Sequence, residues 1–307
     1  MSGQRALIAV IAAGTVLALL WSSWVVITRH GVMQALTIYD LTAFRFGIPA
    51  LLILPWAIRQ GWWKGLTPFR IAVVTLGAGV PYAMLGYTGI TFSPAAHIGV
   101  FLNGMAPGLT VILGWLWIRS RITRYQMAGV VLLAVGGALI GLDGLMVPGE
   151  GFERAWLGDL ILLAAAILLA LYLVAIKVWT LSLEQILFTI CLVGGPLFVP
   201  IWAFALPSGL TGASWQELVL QGGFQGVVPS LAGTTLIFIA VRNLGSQRTA
   251  VFVACVPVLA ALMAIPTLGE LPTVAAWIGI AVTTAGVLFA MGVVGRRLEA
   301  GAAAAAN

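Results

Sequence analysis

The sequence predicts an all-α integral membrane protein, ten transmembrane helices arranged as two inverted five-helix repeats. Three observations lead there. Of 307 residues, 61% are hydrophobic and 8% charged, with a mean hydropathy of +1.10; a soluble domain carries roughly a quarter charged residues. Measured against the roughly 20 apolar residues that cross a bilayer core, the chain divides into ten apolar runs. The last five runs repeat marks of the first five at a nearly constant offset.

The runs are 6–28, 38–58, 70–90, 93–118, 124–142, 156–178, 183–206, 216–241, 246–267 and 273–294. The first is too long for the apolar region of a signal peptide and leads directly to more spans. The second contains Arg45 and Pro49, and the third contains Pro81. The fourth has helix breakers and a lone amide at its centre, Asn103-Gly104-Met105-Ala106-Pro107-Gly108, where a membrane demands continuous backbone hydrogen bonding. The fifth follows Thr123 and carries Gly129 and Gly136. A hydrophilic stretch, 143–155, divides residues 1–142 from the second set, 156–295. In that set Pro196, Pro229 and Pro257 mark the seventh, eighth and ninth runs. Residues 296–307 read as a flexible tail outside the fold. Cys191 and Cys255 fall inside apolar runs, where a free thiol behaves as a small hydrophobe.

The repeat is read from paired positions. Tyr172 falls on Trp24 and Pro229 on Pro81 at an offset of 148, and Pro196 on Pro49 at 147. At 150, Pro257 falls on Pro107, Thr273 on Thr123, Gly279 on Gly129 and Gly286 on Gly136. An odd number of spans per copy turns the second copy over. Inverted repeats characterise secondary transporters, whose substrates bind near the midplane between the halves.

Orientation follows from Lys and Arg in the connections. With a cytoplasmic N-terminus, the inner ends hold Arg5, Arg59, Lys64, Arg70, Arg119, Arg121, Arg124, Lys177, Arg242, Arg248, Arg296 and Arg297. The outer connections hold only Arg29 and Arg154. Both termini are therefore expected in the cytoplasm of a bacterial inner membrane. The acidic residues Asp143, Glu150, Glu153, Asp159, Glu217 and Glu270 are expected outside. Trp62, Trp63, Trp117, Trp156, Trp179 and Trp215 lie near span ends, as an interfacial aromatic belt requires.

Five plus five spans in about 300 residues resemble the drug/metabolite transporter superfamily, specifically its EamA-type exporters. The resemblance rests on Leu20-Trp21-Ser22-Ser23-Trp24-Val25-Val26-Ile27 in the first span and Ala43-Phe44-Arg45-Phe46 in the second. It continues through Pro257, Leu268-Gly269-Glu270, Gly279 and Gly286 in the last two. Arg119-Ser120-Arg121 departs from the Gly-Glu that many relatives carry after the fourth span. His97 in Ser93-Pro94-Ala95-Ala96-His97-Ile98-Gly99-Val100, with the aromatic first and third spans, is similar to the YddG-type exporters of aromatic amino acids. The resemblance implies export of small amphipathic metabolites through a central cavity that opens to one side at a time. Another cargo, a cationic drug or a nucleotide sugar, is the alternative within the same fold.

Candidate substrate-binding residues are Trp21, Ser22, Trp24, Arg45, Tyr82, Tyr87, His97, Phe101, Asn103, Tyr172, Ser230 and Thr234. Arg45 is the basic residue deepest in a span, roughly 10 Å from its outer end by helical rise. It either faces the interior, as intramembrane charges tend to, or snorkels outward to Asp40. Trp21, Trp24, Tyr82 and Tyr87 offer stacking surfaces to an aromatic side chain, with Ser22 and Asn103 supplying polar contacts. Tyr172, Ser230 and Thr234 are expected on the opposite wall. His97 and Phe101 share a helical face near the outer mouth, and a lone His titrates in the physiological range. Pro107 and Pro257 each remove an amide donor and are candidate hinges. No nucleotide motif, metal-ligand spacing or acidic pair is present, so no cofactor, metal or nucleic acid is expected. The partners expected are a small-molecule substrate and the bilayer. A membrane-embedded enzyme would need paired acids or a His–acid pair near one leaflet, whereas the acids around 143–159 read as a solvated connection.

Overall fold

The computed structural model describes residues 3–61, 65–146 and 151–294, with side chains from Ile11 onward except those of Leu244, Ser246 and Gln247. Trp62, Trp63, Lys64, Glu150, Arg296, Arg297 and the side chain of Arg5 lie outside the described residues. Ten helical spans follow in order: α1 (Gly3–Val32), α2 (Ile38–Gln60), α3 (Pro68–Phe92), α4 (Ala95–Ile118), α5 (Arg124–Met146), α6 (Ala155–Val178), α7 (Leu183–Ala205), α8 (Trp215–Asn243), α9 (Arg248–Leu268) and α10 (Val274–Ala290). The first nine are long and apolar enough to cross a membrane; α10, at 17 residues, is shorter. No strand occurs among the described residues.

Two expected boundaries are corrected. The first span continues to Val32 and not to residue 28, so Arg29 belongs to the helix and not to an outer loop. The fifth continues to Met146, which places Asp143 on α5 and shortens the 143–155 connection. The polar residues at these ends find protein partners: Arg29 pairs with Glu270, as described below, and Asp143 Oδ2 accepts from the Thr273 hydroxyl at 2.5 Å.

The helix starts explain themselves locally. Thr37 caps α2 in a capping box with Asp40, and Ser182 caps α7 in a capping box with Gln185. Thr67 and Ser214 accept from the backbone N–H groups of Arg70 and Glu217 to cap α3 and α8. Thr123 and Thr273 do the same for α5 and α10 through Gln126 and Ala276. Each side-chain oxygen satisfies one of the amide donors left free in a helix's first turn.

Four spans are interrupted. α3 breaks at Gly79, whose φ of −89° and ψ of −149° are non-helical, one residue before Val80-Pro81. α8 contains a π-helical segment, Val228–Gly233, beginning at Pro229's own turn. α4 contains another, Gly99–Gly104, and α9 breaks at Cys255 ahead of Pro257. Proline removes one donor and crowds the preceding turn, and π segments absorb such faults within a helix.

Glycines set the interhelix approach. α5 and α10 run antiparallel, with Gly129 against Ala290, Leu133 against Gly286, Gly136 against Thr283 and Ile140 against Gly279. A Cβ on Gly279 would come within 2.6 Å of the Ile140 side chain. Likewise Gly195 of α7 sits on the Phe46 carbonyl of α2, and Gly77 and Gly89 of α3 sit on Tyr172 and Leu162 of α6. Lipid offers no hydrophobic drive for helix pairing, so close backbone contact through small residues must supply it. α1 packs against both α8 and α9. Its Ser22 hydroxyl donates to Ala18 O at 2.7 Å and reaches Val256 O of α9 at 3.3 Å.

Candidate functional site

The candidate residues separate into two sites, not one. The inner site is built around Arg45 of α2, which is 4% exposed. Its guanidinium carbon lies 5.4 Å from the ring centre of Trp24, 5.7 Å from Tyr82, 5.8 Å from Phe46 and 5.9 Å from Tyr87. Trp21 stands edge-on to Trp24 at 6.0 Å. Aromatic faces attract a cation by about 0.5–2 kcal/mol each, which eases burial of the charge without neutralising it. Arg45 Nε and Nη1 are buried without a hydrogen-bond partner.

Of the two readings of Arg45, the one in which it snorkels outward to Asp40 is overturned. Asp40 accepts from Thr37, the Trp202 indole N–H, the Ser208 hydroxyl and the Gly209 amide at 2.7–2.8 Å. With its acceptor capacity met at the cap of α2, Asp40 makes no ion pair with Arg45, which faces the rings inside.

A glutamine missed by the sequence reading ties the cage to α8. Gln225 Oε1 accepts from Tyr87 Oη at 3.0 Å and from Trp24 Nε1 at 3.3 Å. Its Nε2 donates to Thr28 Oγ1 at 2.9 Å and to Gln221 Oε1 at 3.2 Å, and Gln221 Nε2 donates to Ile27 O. Both glutamines are fully buried. Two Gln four residues apart on one face of an apolar run were a legible signal. Ser230, in the π segment of α8, donates to the Arg45 carbonyl at 2.9 Å.

The outer site gathers His97, Phe101 and the acids of the connection. His97 Nδ1 lies 2.9 and 3.0 Å from the two carboxylate oxygens of Asp159, and Ser93 Oγ donates to Asp159 Oδ1 at 3.0 Å. Asp159 is 4% exposed. The expectation of a lone histidine and a solvated Asp159 is thus overturned: the second turn of α6 inserts the carboxylate between Ser93 and His97. Phe101 stacks 6.3 Å from His97. The His–acid pair whose absence argued against an enzyme is therefore present, and that argument lapses. Beside it, Arg29 Nε donates to Glu270 Oε1 at 3.1 Å, and Arg29 Nη1 to Ile90 O at 2.7 Å. Glu270 Oε2 accepts from the Ala95 amide at 2.6 Å. A cavity of about 480 Å³ opens here, lined by His97, Asp143, Phe152, Glu270 and the small residues Ala261 and Ala264.

Other candidates stand apart from both clusters. Tyr172 packs its Cβ on Gly77 at the α3–α6 contact. Thr234 Oγ1 donates to Pro229 O at 3.4 Å, and Asn103 Nδ2 is buried without a partner. Pro257 lies under Gly99, where a Cβ would approach its Cα to 2.9 Å, while Pro107 is half-buried in α4. Ser22 donates only to backbone carbonyls.

Fold and sites together define a multi-pass membrane protein with a polar, aromatic-walled interior. The chain belongs to the EamA-like transporter family, within the drug/metabolite transporter superfamily, whose family model matches residues 7–142 and 156–292. It is 23% identical over 279 residues to an uncharacterized transporter of Archaeoglobus fulgidus, covering 88% of this chain and 92% of that protein. A solved crystal structure shares the fold at a TM-score of 0.63 and 21% identity, over 95% of this chain and 99% of the other.

Proposed function

We propose that this transporter exports small amphipathic metabolites, foremost aromatic and other hydrophobic amino acids, as the likeness to YddG-type exporters implies. The observation behind this reading is the inner cage: four rings within 6 Å of the Arg45 guanidinium, drawn from three helices and tied to a fourth by Gln225. Such a site offers stacking surface with few polar anchors, the usual composition of a small-molecule pocket.

In this reading residues 1–142 and 156–295 are inverted repeats that rock about the cage to expose it to each side in turn. The two matched stretches support it, as do the equivalent caps of α2 and α7, of α3 and α8, and of α5 and α10. So does the α5–α10 contact: adding 150 to Gly129 and subtracting it from Ala290 turns that pair into Gly279–Ile140, another pair of the same contact. Pro107 and Pro257 would flex, Asn103, Tyr172 and Thr234 would line the opened path, and the His97 cavity would be the outer mouth. Both termini would face the cytoplasm.

The alternatives have less behind them. Lys177, the second cation wanted by a nucleotide sugar, is exposed. Asp159, the buried acid a cationic drug would want, already pairs with His97.

Counterflow in proteoliposomes tests the reading. Vesicles loaded with unlabelled Phe, Trp, Met, Thr or Ala are followed for uptake of labelled Phe, with and without a pH gradient. Saturable exchange favouring Phe and Trp is expected; no exchange with any amino acid would remove the cargo.

A further inference from the structure

The inner cage has an unmet hydrogen-bonding capacity of one kind only. Arg45 Nε and Nη1 and the Trp21 indole N–H are buried donors without acceptors. The acceptor nearest in the network, Gln225 Oε1, already takes two hydrogen bonds, and its amide nitrogen gives two. The positive charge is equally unmet. Asp40 is held by Thr37, Trp202, Ser208 and Gly209, Asp159 by His97 and Ser93, and Glu270 by Arg29 and Ala95. A buried charge with no counter-ion and two donors left unpartnered, its one side-chain hydrogen bond going to Tyr87, is costly, and an anion that accepts hydrogen bonds relieves both faults at once. An ammonium brings only further donors and a like charge, and the cage holds no carboxylate to receive it.

We propose that Arg45 is the anchor for the cargo's carboxylate, that the rings of Trp24, Tyr82 and Tyr87 take its aromatic body, and that its α-amino group is not recognised. The substrate class is then aromatic monocarboxylates, of which aromatic amino acids are one subset. This rests on the cage being the cargo site. Charge-assisted hydrogen bonds to a planar carboxylate suit an arginine better than a lysine, and no second basic group is available in the cage for a phosphate's additional charge.

The test uses the wild-type protein first. Three competitors sharing one ring are added against exchange of labelled Phe in proteoliposomes: L-phenylalanine, 3-phenylpropionate, which lacks the amine, and phenethylamine, which lacks the carboxylate. Phenylpropionate is expected to compete within a few-fold of phenylalanine, and phenethylamine at least about 10- to 100-fold more weakly, as losing a hydrogen bond to a charged group implies. Direct uptake of labelled phenylpropionate is measured alongside. Phenylpropionate uptake without Phe exchange would uphold the carboxylate anchor and overturn the amino acid cargo. Phe exchange blocked equally by phenethylamine, or untouched by phenylpropionate, would overturn the anchor and leave the amino acid reading standing. Exchange of neither would overturn both. Arg45→Gln, checked for folding by its melting temperature, is expected to lose both Phe exchange and phenylpropionate uptake; undiminished transport of both by that variant would also overturn the anchor.

Discussion

Arg29 and Glu270, 241 residues apart in sequence, form an ion pair at 3.1 Å with side chains 6% and 13% exposed. The pair joins the end of α1 to the turn after α9, and its spare hydrogen bonds reach Ile90, Thr91 and Ala95 between α3 and α4. Removing one member leaves the other buried and uncompensated, at a cost of about 3–5 kcal/mol. Arg29→Gln and Glu270→Gln are each expected to lower the detergent-solubilised melting temperature sharply. The double variant is expected to lose less than the sum, which a double-mutant cycle reads directly.

Gln225 is the predicted weak point of the inner site. Gln225→Leu strands the Trp24 N–H and the Tyr87 hydroxyl, each at about 1–3 kcal/mol. Reduced thermal stability and a raised KM for exchange are expected, while Tyr87→Phe, which removes the donor to Gln225 and the acceptor for Arg45 but leaves the Trp24–Gln225 bond in place, is milder. Equal effects from the two substitutions would show that Gln225 does not organise the rings.

At the outer site, Asp159→Asn replaces the charged acceptor of His97 and Ser93 and is expected to cost about 1.5–3 kcal/mol. His97→Gln, which removes the ring that Asp159 holds, is expected to lower the detergent-solubilised melting temperature as well; an unchanged melting temperature in both variants would show that the pair does not hold α4 to α6.

The glycine contacts allow a controlled comparison. A Cβ at Gly129 would collide with the backbone of Ala290, whereas one at Gly223 meets nothing within 4 Å. Gly129→Ala is expected to abolish monodisperse protein on size exclusion. Gly223→Ala is expected to be neutral or slightly stabilising, since Ala is preferred over Gly in a helix by about 1 kcal/mol.

The spans were legible in the sequence because hydropathy and length are local properties, and the caps at Thr37, Thr67 and Thr273 lie where the apolar runs begin. Arg45, Trp24, Tyr82 and Tyr87 were legible as unusual residues at similar depth, but their convergence was not. The partners of Arg29, Asp159 and Gln225 were hidden, because each lies on a helix distant in sequence and polar residues at a span end resemble loop residues. Asp40 misled for the opposite reason: its spacing from Arg45 suits a pair, yet its cap, Trp202 at the end of α7 and the Ser208-Gly209 loop claim it first. The breaks at Gly79 and Cys255 were foreshadowed by Pro81 and Pro257, and the interruptions of α4 and α8 by Asn103-Gly104 and Pro229; their π geometry was not.

Those π segments change how α4 and α8 convert chain length into direction. A π segment inserts about one residue beyond a regular helical path, and one residue corresponds to about 100° around the axis. The faces of α4 before Gly99 and after Gly104 are therefore out of phase, and a helical wheel drawn through His97 misassigns Met105–Ile118. A one-residue deletion within Gly99–Gly104 has a place to be absorbed, turning one half of the helix against the other. The same deletion in α5 would slide every partner along α10. Tolerance to changes in length is thus concentrated at two points, both within membrane spans, where surface loops would ordinarily provide it.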